Sequence, residues 1–208
     1  MINTLAVFLG TCLLLAMVPG PGAAVIFRQA VGDGRRSAFM TMLGNETALV
    51  IWGIAAACGL TALVTASQLA YDTMRIVGAG VLIWLGVQAF RSVRRGESTF
   101  APPTGPAPGR SSGWRSYRTG LIANLTNPKA AVFAMSFLPQ FVPGGLPVLP
   151  TVVLLAVLWA VMDALWFSGV IWFIGRARSL FDRSVVRRRL TQFSGAVLIA
   201  LGLRLVTE

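Results

Sequence analysis

Three ionisable side chains interrupt long apolar runs: Glu46 in MLGNETALV, Lys129 in NLTNPKAAV and Asp163 in LWAVMDALWF. A charged group at the centre of a bilayer costs at least about 2.5–3.5 kcal/mol, so each must face a protein interior or a partner. A carboxylate held there can bind an ammonium group or carry a proton. For Asp163 the competing reading is a structural pair with Lys129. Glu46 follows Arg36 by ten residues, and a place in the headgroup zone stays open for it. Lys129 is the only lysine and reads as structural or as facing a carboxylate.

Other chemistries are weakly supplied. There is no histidine, which removes imidazole metal sites and His-dependent triads. Cys12 and Cys58 have no metal-ligand spacing and read as small packing residues. An electron carrier would want a cysteine in the fourth apolar run as well, and none is there. An intramembrane hydrolase would be left with Ser136 and Lys129, which about 10 Å of helical rise separates. No metal or cofactor is called for. The net charge of +11 sits in short arginine clusters between apolar runs, a pattern that topology explains without nucleic acid.

Two breaks in the apolar runs complete the set. Pro19-Gly20-Pro21-Gly22 falls about sixteen residues into the first run. Proline removes an amide donor and clashes with the preceding turn, and glycine adds backbone freedom. Asn127-Pro128 reads as an N-cap followed by proline at the first helical position. A helix from there to Val142 reaches only ~22 Å, short of a ~30 Å hydrocarbon core. Irregular backbone at membrane depth is tolerated where it is buried in protein or lines a wet cavity. Its exposed amides and carbonyls, with the partial charges of half-helix ends, can present both donors and acceptors to such a cavity.

The elements that must position these groups are apolar helices. The chain has 208 residues, 55% hydrophobic and 12% charged, the composition of an integral membrane protein. Runs near 3–27, 38–66, 70–90, 119–142, 148–175 and 189–206 predict six transmembrane helices. The first run has no basic segment before it and is read as a retained helix. The segment 91–118 contains APPTGPAPGRSSG and reads as a flexible cytoplasmic linker. It separates a first three-helix half, 1–90, from a second, 119–208. Three spans per half would invert a duplicated unit, the plan of two inverted repeats with broken first and fourth helices. Fifteen arginines fall in alternate connections, which places those loops in the cytoplasm and both termini outside. Glycines at 78, 80, 86, 195 and 202 suit either close internal packing or a homodimer.

In order and spacing, several short motifs resemble the amino-acid exporter superfamily typified by lysine and threonine/homoserine exporters (LysE/RhtB). They are Pro19-Gly20-Pro21, Gly34-Arg35-Arg36, Leu43-Gly44, Asn124-Leu125, Asn127-Pro128-Lys129-Ala130 and Phe137-Leu138-Pro139-Gln140-Phe141. The resemblance covers nearly the whole chain. It implies a secondary transporter in the bacterial cytoplasmic membrane that exports an amino acid or analogue, driven by protons. A passive channel is the alternative. The motifs add Gln140 to the candidate residues. Many relatives carry a glycine and then Asp or Asn four residues beyond the Leu-Gly pair. Here Asn45-Glu46 follows Gly44 directly, so the polar group has moved.

Overall fold

The computed structural model describes residues 2–17, 20–66, 68–95, 112–181 and 184–207. Every regular element among them is helical. They are α1 (Ile2–Met17), α2 (Pro21–Gly32), α3 (Arg35–Ala66), α4 (Gln68–Arg94), α5 (Gly113–Leu125), α6 (Pro128–Ser136), a 3-10 turn (Leu138–Phe141), α7 (Val148–Phe181) and α8 (Ser184–Thr207). Two stretches, Arg35–Gly59 and Val148–Phe173, are long and apolar enough to cross a membrane. The first apolar run bends by 58° between Thr4–Met17 and Pro21–Gly32, and this pair would make a third span. Ile76–Arg91 is a shorter apolar stretch. The run near 119–142 is not one helix, because α5 ends before Asn127 and α6 before the 3-10 turn.

Local chemistry sets the breaks. Pro21 stands at the start of α2, where its missing amide costs nothing. Pro128 does the same for α6, and Asn127 caps it by accepting the Lys129 amide at 3.1 Å. Gly34 joins α2 to α3 at φ 88, a left-handed conformation that a side chain would strain. Helix α5 begins at Gly113, inside the segment read as linker, because Ser112 accepts the Arg115 amide at 3.3 Å. The rest of that segment, residues 96–111, lies outside the described residues.

Helix α3 runs at the centre, packed along α5 and α7, while α4 packs along α8. These contacts are close because glycine removes the side chain that would hold the backbones apart. A Cβ at Gly44 would strike the Tyr117 carbonyl, and one at Gly120 the Thr41 carbonyl. Gly86 and Gly195 play the same part between α4 and α8, and Gly202 meets Ala79 there. Gly78 packs on Ser136 of α6. Four of the five glycines that could have served a dimer are therefore used within the chain, and only Gly80 faces open space.

The apolar core has two parts. Phe8, Phe133, Phe137, Phe141 and Trp159 form one aromatic column, with neighbouring ring centroids 4.6–5.1 Å apart. Ile26, Ala30, Ala38, Met42, Phe167 and Ile171 form the other part. Helix α7 contributes to both: Trp159, Asp163 and Phe167 recur every four residues on one face, so its acid lies between the two apolar clusters. Cys12 is fully buried in the column as a small packing residue, whereas Cys58 is exposed and packs in no core cluster; both are free thiols.

Candidate functional site

Between those clusters lies a cavity of about 30 Å³, room for about two water molecules. Its walls come from α1, α2, α3, α5, α6 and α7. Both breaks reach it: Gly20 and Gly22 from one, Asn127 and Lys129 from the other. The two touch directly. A Cβ on Gly20 would lie 3.3 Å from Lys129 Nζ and 4.0 Å from Asn127 Nδ2. One on Gly22 would overlap Asn45 Oδ1, so only glycine lets α2 come this close to α3.

A run of side-chain amides connects the walls. Asn127 Nδ2 donates to Asn124 Oδ1 at 3.1 Å, and Asn124 Nδ2 donates to the Asn45 carbonyl at 3.1 Å. Trp52 Nε1 holds the Asn124 carbonyl at 3.3 Å. Asn45 Nδ2 then forks between two carboxyls, Asp163 Oδ2 at 3.1 Å and Glu46 Oε1 at 3.3 Å. Asp163 is 7% exposed and Glu46 8%, and their carboxyls lie within hydrogen-bonding reach of each other. Glu46 Oε2 is buried with no nitrogen or hydroxyl donor. Position 46 is eleven residues along α3, about 16 Å from its start, and turned toward α7.

The positive side is Lys129. Its ammonium donates to the Leu15 carbonyl in the last turn of α1 at 3.4 Å, where the helix dipole favours a cation. It also interacts electrostatically with Asp163 across the cavity. The start of α2 is a second positive element. Gly20 offers no side-chain cap, and the amides of Gly22 and Ala23 have no partner within the helix. Carboxyls, side-chain amides, an ammonium and the amides at the start of α2 thus converge on one cavity.

The structure brings together Gly20, Gly22, Asn45, Asn127, Lys129 and Asp163 at the cavity, with Glu46 directly behind. It does not bring Pro21, Pro128 or Gln140. Both prolines are exposed and shape their helices from outside. Gln140 donates to the Ser136 carbonyl at 2.8 Å and closes the C-terminal end of α6. Pro19 lies outside the described residues. Asn124, Trp159 and Phe167 also line the cavity. For the two aromatics, their spacing of four on either side of Asp163 was the signal. For Asn124 the signal was a polar residue three before the Asn127 cap.

A helical membrane protein with a small, two-signed cavity at the junction of two broken helices has the build of a solute translocator. The chain belongs to the LysE type translocator family, whose sequence profile matches residues 13–208. It is 32% identical to a homoserine/homoserine lactone efflux protein of Salmonella typhimurium over 162 residues, 78% of this chain and 76% of that one. It is 29% identical to a threonine efflux protein of Escherichia coli (strain K12) over 91% of each chain. An uncharacterized membrane protein of Bacillus subtilis (strain 168) is 23% identical over 97% of this chain and 98% of its own. No solved structure matches the chain. The family and these relatives make the chain a multi-pass membrane transporter rather than an enzyme.

Proposed function

We propose that this protein exports a small amino acid or a close analogue across the bacterial cytoplasmic membrane, and that an inward flow of protons drives it. The observation that carries the reading is the two-signed cavity. A zwitterion needs donors for its carboxylate and acceptors for its ammonium, a few ångströms apart. The free amides of Gly22 and Ala23 and the ammonium of Lys129 suit the carboxylate. Asp163 and Asn45 suit the ammonium. Small wall residues, Ala16, Ala23 and Ala130, leave space for a short side chain only.

The cavity is too small for any amino acid as it stands, so substrate entry requires one apolar cluster to part. The cluster around Ile26, Met42 and Phe167 lies toward the arginine-rich ends of α2 and α3, the cytoplasmic side in this reading. The aromatic column closes the opposite side. Alternate opening of the two would expose Asp163 to each side in turn. A passive channel would need both open at once, and the two packed apolar clusters that flank the cavity favour a transporter.

The six-span inverted plan, with both termini periplasmic, belongs to the same reading. A cytoplasm-dependent fluorescent reporter fused after Glu208 should stay dark, and one inserted at residue 105 should glow. A bright C-terminal fusion overturns the topology. The function itself is tested in inside-out vesicles loaded with no substrate. Labelled homoserine and threonine are offered with and without an imposed pH gradient. Accumulation that depends on the gradient is expected. Equilibration indifferent to it identifies a channel, and failure of both substrates to enter removes the small-amino-acid reading.

A further inference from the structure

Two buried carboxyl groups facing each other is an arrangement that transport of a zwitterion does not by itself require, since one carboxylate suffices for one ammonium. Asp163 and Glu46 come from different halves of the sequence, on α7 and α3. One amide nitrogen, Asn45 Nδ2, reaches both at 3.1 and 3.3 Å. That amide has only two hydrogens, and both are committed to the pair. Glu46 Oε2 remains without a nitrogen or hydroxyl donor in a buried position. A carboxylate oxygen there would be among the most costly orphans a protein can hold, whereas a carboxyl sharing a proton with its neighbour is satisfied.

We propose that Glu46 and Asp163 form a carboxyl pair that holds a single proton between them, and that this pair is the proton site of the transport cycle, with Asn45 fixing its geometry. The proposal rests on the proton-coupled reading above. The charge count around the pair supports it. From α6 comes Lys129, the cation that faces Asp163. Among the described residues, α1 brings the Cys12 thiol and α5 the Asn124 amide, while α2 lines the cavity with glycine and alanine. Two carboxyls, one proton and one lysine ammonium make the site neutral. Two bare carboxylates would leave an uncompensated negative charge on two buried side chains, and like charges at this range cannot both persist.

The cycle then balances. A substrate ammonium entering from the cytoplasm takes the place of the shared proton, which leaves to the cytoplasm. When the site opens outward the amino acid departs, and one proton from the periplasm returns to the pair. One proton enters for each amino acid exported. Ammonium and proton are mutually exclusive occupants of one gap, which is the condition for tight antiport.

The decisive measurement is an infrared pH titration of the purified protein in lipid, following the C=O stretch of protonated carboxyl groups. The wild-type chain should show a band worth one carboxylic acid at neutral pH, absent from the Glu46→Gln, Asp163→Asn double variant. In Glu46→Gln alone the band should vanish, because the glutamine amide donates to Asp163 as the shared proton did. In Asp163→Asn the band should be lost or displaced, since its hydrogen-bond acceptor has gone. No band in the wild-type protein, or an unchanged band in either single variant, overturns the pair. The wild-type result needs no variant to fold. Vesicle transport is read in parallel: Glu46→Gln should lose gradient-driven accumulation and keep homoserine exchange. Full accumulation by that variant also overturns the pair. Gradient-driven transport without the band refutes the shared proton and leaves the exporter reading intact. The band without any amino-acid transport does the reverse.

Discussion

The two helix breaks that meet at the cavity are built differently. At the first, the N-cap of α2 is Gly20, with extended backbone and no side chain to offer, so the amides of Gly22 and Ala23 stay free. At the second, Asn127 occupies the Lys129 amide and spends its own amide on Asn124. The first break therefore presents backbone to the cavity, and the second presents side chains. A single pattern, proline next to a helix start, serves opposite ends: one start is left open for an anion, and the other is closed so that Lys129 and Asn127 are held in place. Binding sites need both kinds of element, because free amides give direction without bulk and capped helices give rigidity.

The comparison is most severely tested at Gly22. In Gly22→Val the added carbon overlaps Asn45 Oδ1, so α2 must retreat or the fork to Asp163 and Glu46 must break. Overpacking of this kind costs about 1–3 kcal/mol, and transport should be lost even in the fraction that remains folded. Thermal unfolding in detergent and vesicle uptake measure the two effects. Homoserine transport at the wild-type rate would mean that the open break does not touch the substrate path.

Asn127 comes next. Asn127→Ala removes a cap worth about 1 kcal/mol together with the bond to Asn124, and should lower both stability and uptake. Asn127→Ser sharpens the point: serine still caps α6 but is too short to hold Asn124. Its stability should return toward wild type while uptake stays impaired. Recovery of both would reduce Asn127 to a cap alone.

A smaller effect is expected at Gly20. Its backbone, at φ −148, is one that any residue adopts, and the tightest contact of the new carbon in Gly20→Ala is the mobile end of Lys129 at 3.3 Å. Stability should change by no more than about 0.5 kcal/mol. The half-saturating substrate concentration should rise, because Lys129 is displaced from the carboxylate end. The smallest effect belongs to Pro128→Ala. Pro128 is exposed and its ring points away from the cavity, so uptake should stay within about twofold of wild type, roughly 0.4 kcal/mol. If this variant cripples transport, the second break works through its backbone as the first does, and the contrast between them collapses.

Much of this was legible locally. Proline at a helix start and asparagine before it are short-range signals, and they located both breaks and the Asn127 cap correctly. Asp163 was conspicuous because a lone acid in an apolar run has few reasons to persist. Local signals say less where a residue's surroundings decide its part. Pro21, Pro128 and Gln140 share motifs with cavity residues, yet they sit outside it, because neighbouring positions on a helix point about 100° apart. Glu46 was ambiguous for the opposite reason: its nearest sequence landmark, Arg36, says nothing of the helix on its other side.

The sequence alone determined that this protein is helical and apolar, where its first and fourth runs break, and that a buried acid and a lone lysine need company. Those are properties of composition, periodicity and single-residue stereochemistry. The tertiary structure decided which company they keep. Helix α3 is apolar around most of its circumference, so nothing in its own pattern fixes how it is turned against α5 and α7. Glycines at 44 and 120 set that rotation by letting two backbones touch. Only with it set do Asn45 and Glu46 face Asp163, more than a hundred residues away along the chain.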